Sequence, residues 1–160
     1  MVFAELFPTG RLNIDHSVSS GGFFCDVVDR EHFTQAELDA LENRMRVLIE
    51  EDHPFERREV PIQEAIEYFT QRGYEDKLRL FKYRRKEYLT LYSLNGQMDY
   101  MHGYMVPSTG YLKWFGLHPT DGGFILRFPR RHAPTQLEPL GNYPKLLNAF
   151  RQYGNWLETL

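Results

Sequence analysis

The run Phe33-Thr34-Gln35-Ala36-Glu37-Leu38 opens a helix whose start is written into the chain. Thr34 and Glu37 have the spacing of a reciprocal capping box, and Phe33 and Leu38 that of a hydrophobic staple. Leu38, Leu41, Met45, Leu48 and Ile49 then recur at helical spacing, which predicts one apolar stripe from Thr34 to about Glu51. Such a helix is stable only when another element covers its stripe. The rest of the chain must therefore supply an apolar surface.

The flanking segments supply it mainly as strands. Gly22-Phe23-Phe24-Cys25-Asp26-Val27-Val28 is aromatic and β-branched, and Phe124 to Phe128 follows the turn Thr120-Asp121-Gly122-Gly123. Tyr88 to Leu94 ends on Asn95-Gly96, a hairpin signal. A second helix is expected from Ile62 to Arg72, after Pro61, burying Ala65, Ile66 and Phe69 and closing at Gly73. A third is expected from Pro144, with Leu146, Leu147, Phe150 and Tyr153 on one face. Helices grouped between hairpins define an α+β class.

Bulk properties narrow the function classes. With 160 residues, 42% hydrophobic and 15% aromatic, the chain fits one folded domain, 1–160. A net charge of −3 argues against a generally polyanion-binding chain but leaves room for a local patch. Cys25 is the sole cysteine, so no internal disulfide can form, and a cytoplasmic location is expected. No apolar run approaches the length of a membrane span, so no membrane partner is expected. Val2 to Phe7 reads as a short amphipathic helix closed by Pro8 and Gly10, and the apolar end Trp156-Leu157-Glu158-Thr159-Leu160 has no helix stop. Both ends suggest an excised piece of a longer protein.

The stretch Asp99-Tyr100-Met101-His102-Gly103-Tyr104-Met105-Val106-Pro107-Ser108-Thr109 resembles Asp-Met-Cys-Arg-Gly-Pro-His-Val-Pro-Asn-Thr of the editing-type second domain of threonyl-tRNA synthetase, related to that of alanyl-tRNA synthetase. Gly21-Gly22-Phe23-Phe24-Cys25-Asp26-Val27 is similar to that family's Asn-Gly-Phe-Tyr-Tyr-Asp-Val. The Phe33-Thr34 helix and the positions Val60, Glu64, Ala65, Phe69, Arg72 and Gly73 match in order, so the resemblance covers roughly residues 12–115. It implies an antiparallel sheet curved around a central helix. It also implies a cleft framed by Asp15, His16, Gly21, Gly22, Asp99, His102, Gly103 and Pro107. The family's Cys and His ligand positions hold Met101 and Met105 here, and its His-x-x-x-His helix would fall upstream of Met1. Zinc favours thiolate, imidazole or carboxylate, so no zinc is expected. Met98, Met101 and Met105 beside His102 have two readings, apolar filling of a former polar pocket or a Cu(I) site, and filling is expected.

Lys82 to Lys86, Tyr88 to Gly96, Gly103 to Leu112 and Leu126 to Arg131 also resemble the N-terminal region of bacterial uridine-kinase-like proteins, which carry a synthetase-like domain ahead of a kinase. That resemblance implies a kinase domain as partner in the same chain, with ATP and magnesium as that domain's cofactors and none for residues 1–160. No Gly-Lys dipeptide occurs, so no phosphate-binding loop of the Walker type can form here.

Three further sets stay open. Asp15-His16-Ser17, expected in a loop, is either a catalytic dyad or a structural pair. Cys25 is expected to be a buried, inert thiol. The basic stretch Lys77 to Lys86, above all Lys82, Arg84, Arg85 and Lys86, together with Arg127, Arg130, Arg131 and His132, fits phosphate contact with RNA or a nucleotide, or else a solvated charged face. His32, His53 and His118 are expected at the surface. The function expected is a degenerate editing-like domain acting as a binding or regulatory module. The alternatives are a hydrolase deacylating mischarged tRNA through Asp15, His16 and His102, and a dimerisation or docking domain.

Overall fold

The computed structural model describes residues 1–18, 21–28, 30 and 32–139, with the backbone alone for His16 and Asp76. The helix expected from Pro144 lies outside these residues. The described chain forms two compact units, residues 1–49 with 112–139, and residues 50–111. The α+β class and wholly antiparallel pairing are as expected.

The first unit holds α1 (Val2–Leu6), β1 (Leu12–Ser17), β2 (Phe23–Val27), α2 (Gln35–Glu50), β6 (Gly116–Thr120) and β7 (Gly123–Arg127). Its four strands are ordered β1-β2-β7-β6. Leu38, Leu41 and Leu48 of α2 pack with Cys25, Val27 and Phe124 of the sheet and with Phe3 and Phe33. Each fully buried side chain of this size is worth roughly 1.5–3 kcal/mol, which holds the helix stripe in place. The cap is as the sequence predicts. The Glu37 N–H donates to Thr34 Oγ1 at 3.3 Å, and the Thr34 N–H to Glu37 Oε2 at 3.0 Å. Arg30 adds an ion pair to Glu37. Gly22 has φ +143°, and a Cβ there would lie 2.5 Å from the Leu126 carbonyl oxygen, so only glycine lets this turn approach β7 so closely.

The second unit holds β3 (Glu56–Pro61), α3 (Ile62–Gln71), α4 (Glu75–Phe81), β4 (Tyr88–Leu94) and β5 (Gln97–Tyr100), with sheet order β3-β4-β5. Val60, Leu89 and Leu91 of the sheet pack with Ala65 and Phe69 of α3 and Phe81 of α4. α3 closes through Gly73 as its sequence requires. The Gly73 N–H reaches the Thr70 carbonyl and the Tyr74 N–H the Phe69 carbonyl, while Tyr74 and Phe69 rings meet at 5.9 Å. Asn95 and Gly96 both have positive φ, as the tight β4–β5 hairpin demands. Among the described residues, no helix is long and apolar enough to cross a membrane.

Several elements differ from expectation. Asp15 and His16 lie in β1, not in a loop. Ile14 pairs with Cys25 and Ser17 with Phe23, so Asp15 and His16 together oppose Phe24 as a bulge. Pairing to β2 overrides the polar composition of that strand. β3 and β6 are also strands that composition hides. The expected basic stretch begins as helix α4, where Leu78 and Phe81 join the core.

Candidate functional site

The motif segment Asp99 to Thr109 lies in the second unit, at the end of β5 and in the loop that follows. It is fastened at four points. The Asp99 carboxylate pairs with Lys77 of α4 and accepts the Tyr100 N–H at 2.6 Å. The Tyr92 hydroxyl, on β4, accepts the Met105 N–H at 3.3 Å and donates to the Gly103 carbonyl at 3.4 Å. The Phe55 N–H donates to the Pro107 carbonyl at 2.9 Å. The fourth point is the tightest. Asp52 Oδ1 accepts the Ser108 hydroxyl at 2.5 Å and the Gly110 N–H at 2.9 Å, while Thr109 exchanges hydrogen bonds with the His53 backbone. A Cβ on Gly110 would lie 2.2 Å from Asp52 Oδ1, which explains glycine there.

This geometry gives the frame residues a job. Asp99, Gly103, Pro107 and Thr109 hold the backbone course of the loop; between them Met101, His102 and Tyr104 are exposed, while Tyr100, Met105, Val106 and Ser108 are half-buried. His102 and Gly103 are exposed, Met101 is 37% exposed, and Met105 is half-buried. Apolar filling was expected of the methionines: Met98 packs against the cluster of Phe69 and Leu91, and Met105 is half-buried. Met101 departs from it because the chain past β5 runs along the surface. Among the described residues, no group of three His, Cys, Asp or Glu side chains converges as an ion site.

The other candidates divide between the units. Asp15, the His16 backbone, Gly21 and Gly22 belong to the first, as do Arg127, Arg130 and Arg131. Arg130 Nε lies 3.0 Å from Glu138 Oε2, and His132 Nε2 3.2 Å from Glu138 Oε1. Arg127 donates to the Glu138 carbonyl, so these cations order the chain after β7, and Arg131 stays exposed. Lys82, Arg84, Arg85 and Lys86 belong to the second unit with Asp99, His102, Gly103 and Pro107. Lys82, Arg85 and Lys86 are exposed, while Arg84 donates to Tyr100 Oη and to the Tyr88 carbonyl, both at 3.3 Å.

Two histidines depart from the surface expectation. His118, half-buried in β6, has its pKa pushed down, first by burial and then by Arg127. His53 Nε2 sits 2.8 Å from Glu51 Oε2 while its backbone holds Thr109. Burial pushes the Cys25 thiol up to about 11, as expected of an inert cysteine. Sequence reasoning missed Asp52, His53 and Tyr92, which anchor the loop from far along the chain.

These features define an α+β domain with a motif loop clamped onto a three-stranded sheet. The similarity is specific: 121 residues, 75% of the chain, are homologous to a region of threonine–tRNA ligases. Identity is 36% with the ligase of Laribacter hongkongensis (strain HLHK9), 36% with that of Polaromonas naphthalenivorans (strain CJ2) and 34% with that of Paracidovorax citrulli (strain AAC00-1). The chain spans about a fifth of their length, 19% in each case. No family model matches the chain.

Proposed function

We propose that this domain is a synthetase-related module without the hydrolytic chemistry of the editing-type domains, acting in binding or regulation within a uridine-kinase-like protein. One observation carries the reading: the loop keeps its frame at Asp99, Gly103, Pro107 and Thr109, each engaged or placed as described, while Met101 and Met105 stand where the resemblance puts a Cys and a His. A thioether neither activates water on zinc nor serves as a general base. The frame then serves to present the exposed loop and not to hold an ion.

The test is to incubate the chain with a mischarged tRNA and follow release of the amino acid. No turnover above background is expected, and elemental analysis is expected to find no tightly held zinc. Turnover with one zinc per chain overturns the loss of chemistry. The parent is tested on the full gene product, which is expected to phosphorylate uridine with ATP and magnesium. Absence of that phosphorylation overturns the kinase assignment.

A further inference from the structure

Between α4 and β4 the chain exposes two tyrosines among cations. Tyr83 is 88% exposed and Tyr88 55% exposed, and Lys82, Arg85 and Lys86 stand in water beside them. Exposing a large ring to this degree has no use in packing, and from Arg79 to Tyr88 five cations stand against one acid, Glu87. Arg84 makes the segment stiff. Its guanidinium donates to the Tyr88 carbonyl and to Tyr100 Oη and lies 5.6 Å from the Tyr100 ring, with its Nε buried and lacking a hydrogen-bond partner. The two exposed rings therefore flank an arginine pinned to the sheet.

We infer that this segment is a binding site for single-stranded nucleic acid, with Tyr83 and Tyr88 as stacking platforms and Lys82, Arg85 and Lys86 as phosphate contacts. Two exposed rings in one basic segment offer a stacking face to more than one base, which a strand supplies and a free nucleotide does not. Rings take any base, so the site reads little sequence. The inference rests on the binding reading above but fails separately from it, since hydrolytic turnover would overturn only the earlier reading.

The experiment is fluorescence anisotropy of a labelled homopolymeric oligonucleotide titrated with the 160-residue chain at several salt concentrations. Tyr83→Ala is expected to weaken binding about tenfold, with Tyr83→Phe restoring it, because stacking needs the ring and not the hydroxyl. The triple variant Lys82→Ala, Arg85→Ala, Lys86→Ala is expected to flatten the salt slope by about two units, at roughly 0.7 per lost contact to a single strand. Equal urea midpoints certify folding in each variant. Binding unchanged in Tyr83→Ala, or an unchanged salt slope in the triple variant, overturns the site. Equal affinity for a nucleoside triphosphate overturns the strand, and binding to anionic lipid vesicles without oligonucleotide binding overturns the ligand class.

Discussion

Thr109 and His53 hold each other through two hydrogen bonds: the His53 N–H donates to Thr109 Oγ1 at 2.9 Å, and the Thr109 N–H donates to the His53 carbonyl at 2.9 Å. Thr109 is 3% exposed, a buried polar side chain in the middle of an otherwise surface loop. The hydroxyl thus does for His53 what a neighbouring strand would do.

Thr109→Val keeps the shape and removes the acceptor, leaving the His53 N–H unsatisfied. A buried donor without a partner costs about 1–3 kcal/mol. The urea unfolding midpoint is expected to fall accordingly, and Thr109→Ser, which keeps the oxygen, is expected to lose less. Equal midpoints for Thr109→Val and the parent would remove the clamp from the account.

The helix cap predicts a pH dependence. The Arg30 hydrogen bond, with those from Thr34, holds Glu37 at about 2 against an ordinary 4.5. Between those values the unfolded chain binds a proton that the folded chain refuses. The stabilisation is complete above about 4.5 and disappears as the pH falls to about 2. Glu37→Gln is expected to flatten this part of the stability profile, followed by circular dichroism against urea at each pH. Thr34→Ala is expected to cost about 1 kcal/mol at neutral pH.

What the sequence disclosed was local. Thr34 and Glu37 are three residues apart, Asn95 and Gly96 adjacent, and Phe69, Thr70, Gly73 and Tyr74 within one helix end, so each pattern carries its own geometry. What it concealed was made by distant partners. Glu56-Arg57-Arg58-Glu59 has no apolar alternation, and only Val60 of β3 is buried, yet the strand forms because β4 pairs with it along its length. β6 contains Pro119, which an edge strand tolerates because one side of its backbone has no ladder to complete. In the motif loop the frame residues were recognisable, but Asp52 reaches Ser108 across 56 positions, a relation no spacing rule contains.

Gly22 tests the turn before β2. A methyl group there would sit 2.5 Å from the Leu126 carbonyl oxygen and require φ +143°, which L-residues rarely adopt. Gly22→Ala is expected to destabilise by roughly 1–3 kcal/mol, since strain in sparsely populated backbone regions has that size. Gly96→Ala, with nothing within 4 Å of its Cβ, is the control for left-handed backbone without a clash and is expected to lose less. Equal losses in the two variants would show that the approach to β7 is looser than described.

Cys25 provides the last prediction, because its inertness follows from position alone. It lies in the middle strand pair of the first unit, opposite Ile14 on β1 and Phe124 on β7, and its side chain belongs to the core beneath α2. Burial raises the thiol to about 11, with Asp26 adding a smaller push in the same direction against a backbone hydrogen bond from Leu126. At neutral pH almost no thiolate forms, and the thiolate is the reactive species. A disulfide-exchange reagent is therefore expected to leave the folded chain unlabelled and to label one thiol per chain once urea unfolds it. The labelling rate in native buffer then reports opening of the sheet, and Leu38→Ala, which removes a buried side chain packed in the same core, is expected to raise it along with a stability loss of about 2–5 kcal/mol. Rapid stoichiometric labelling of the folded parent would contradict the burial of this strand.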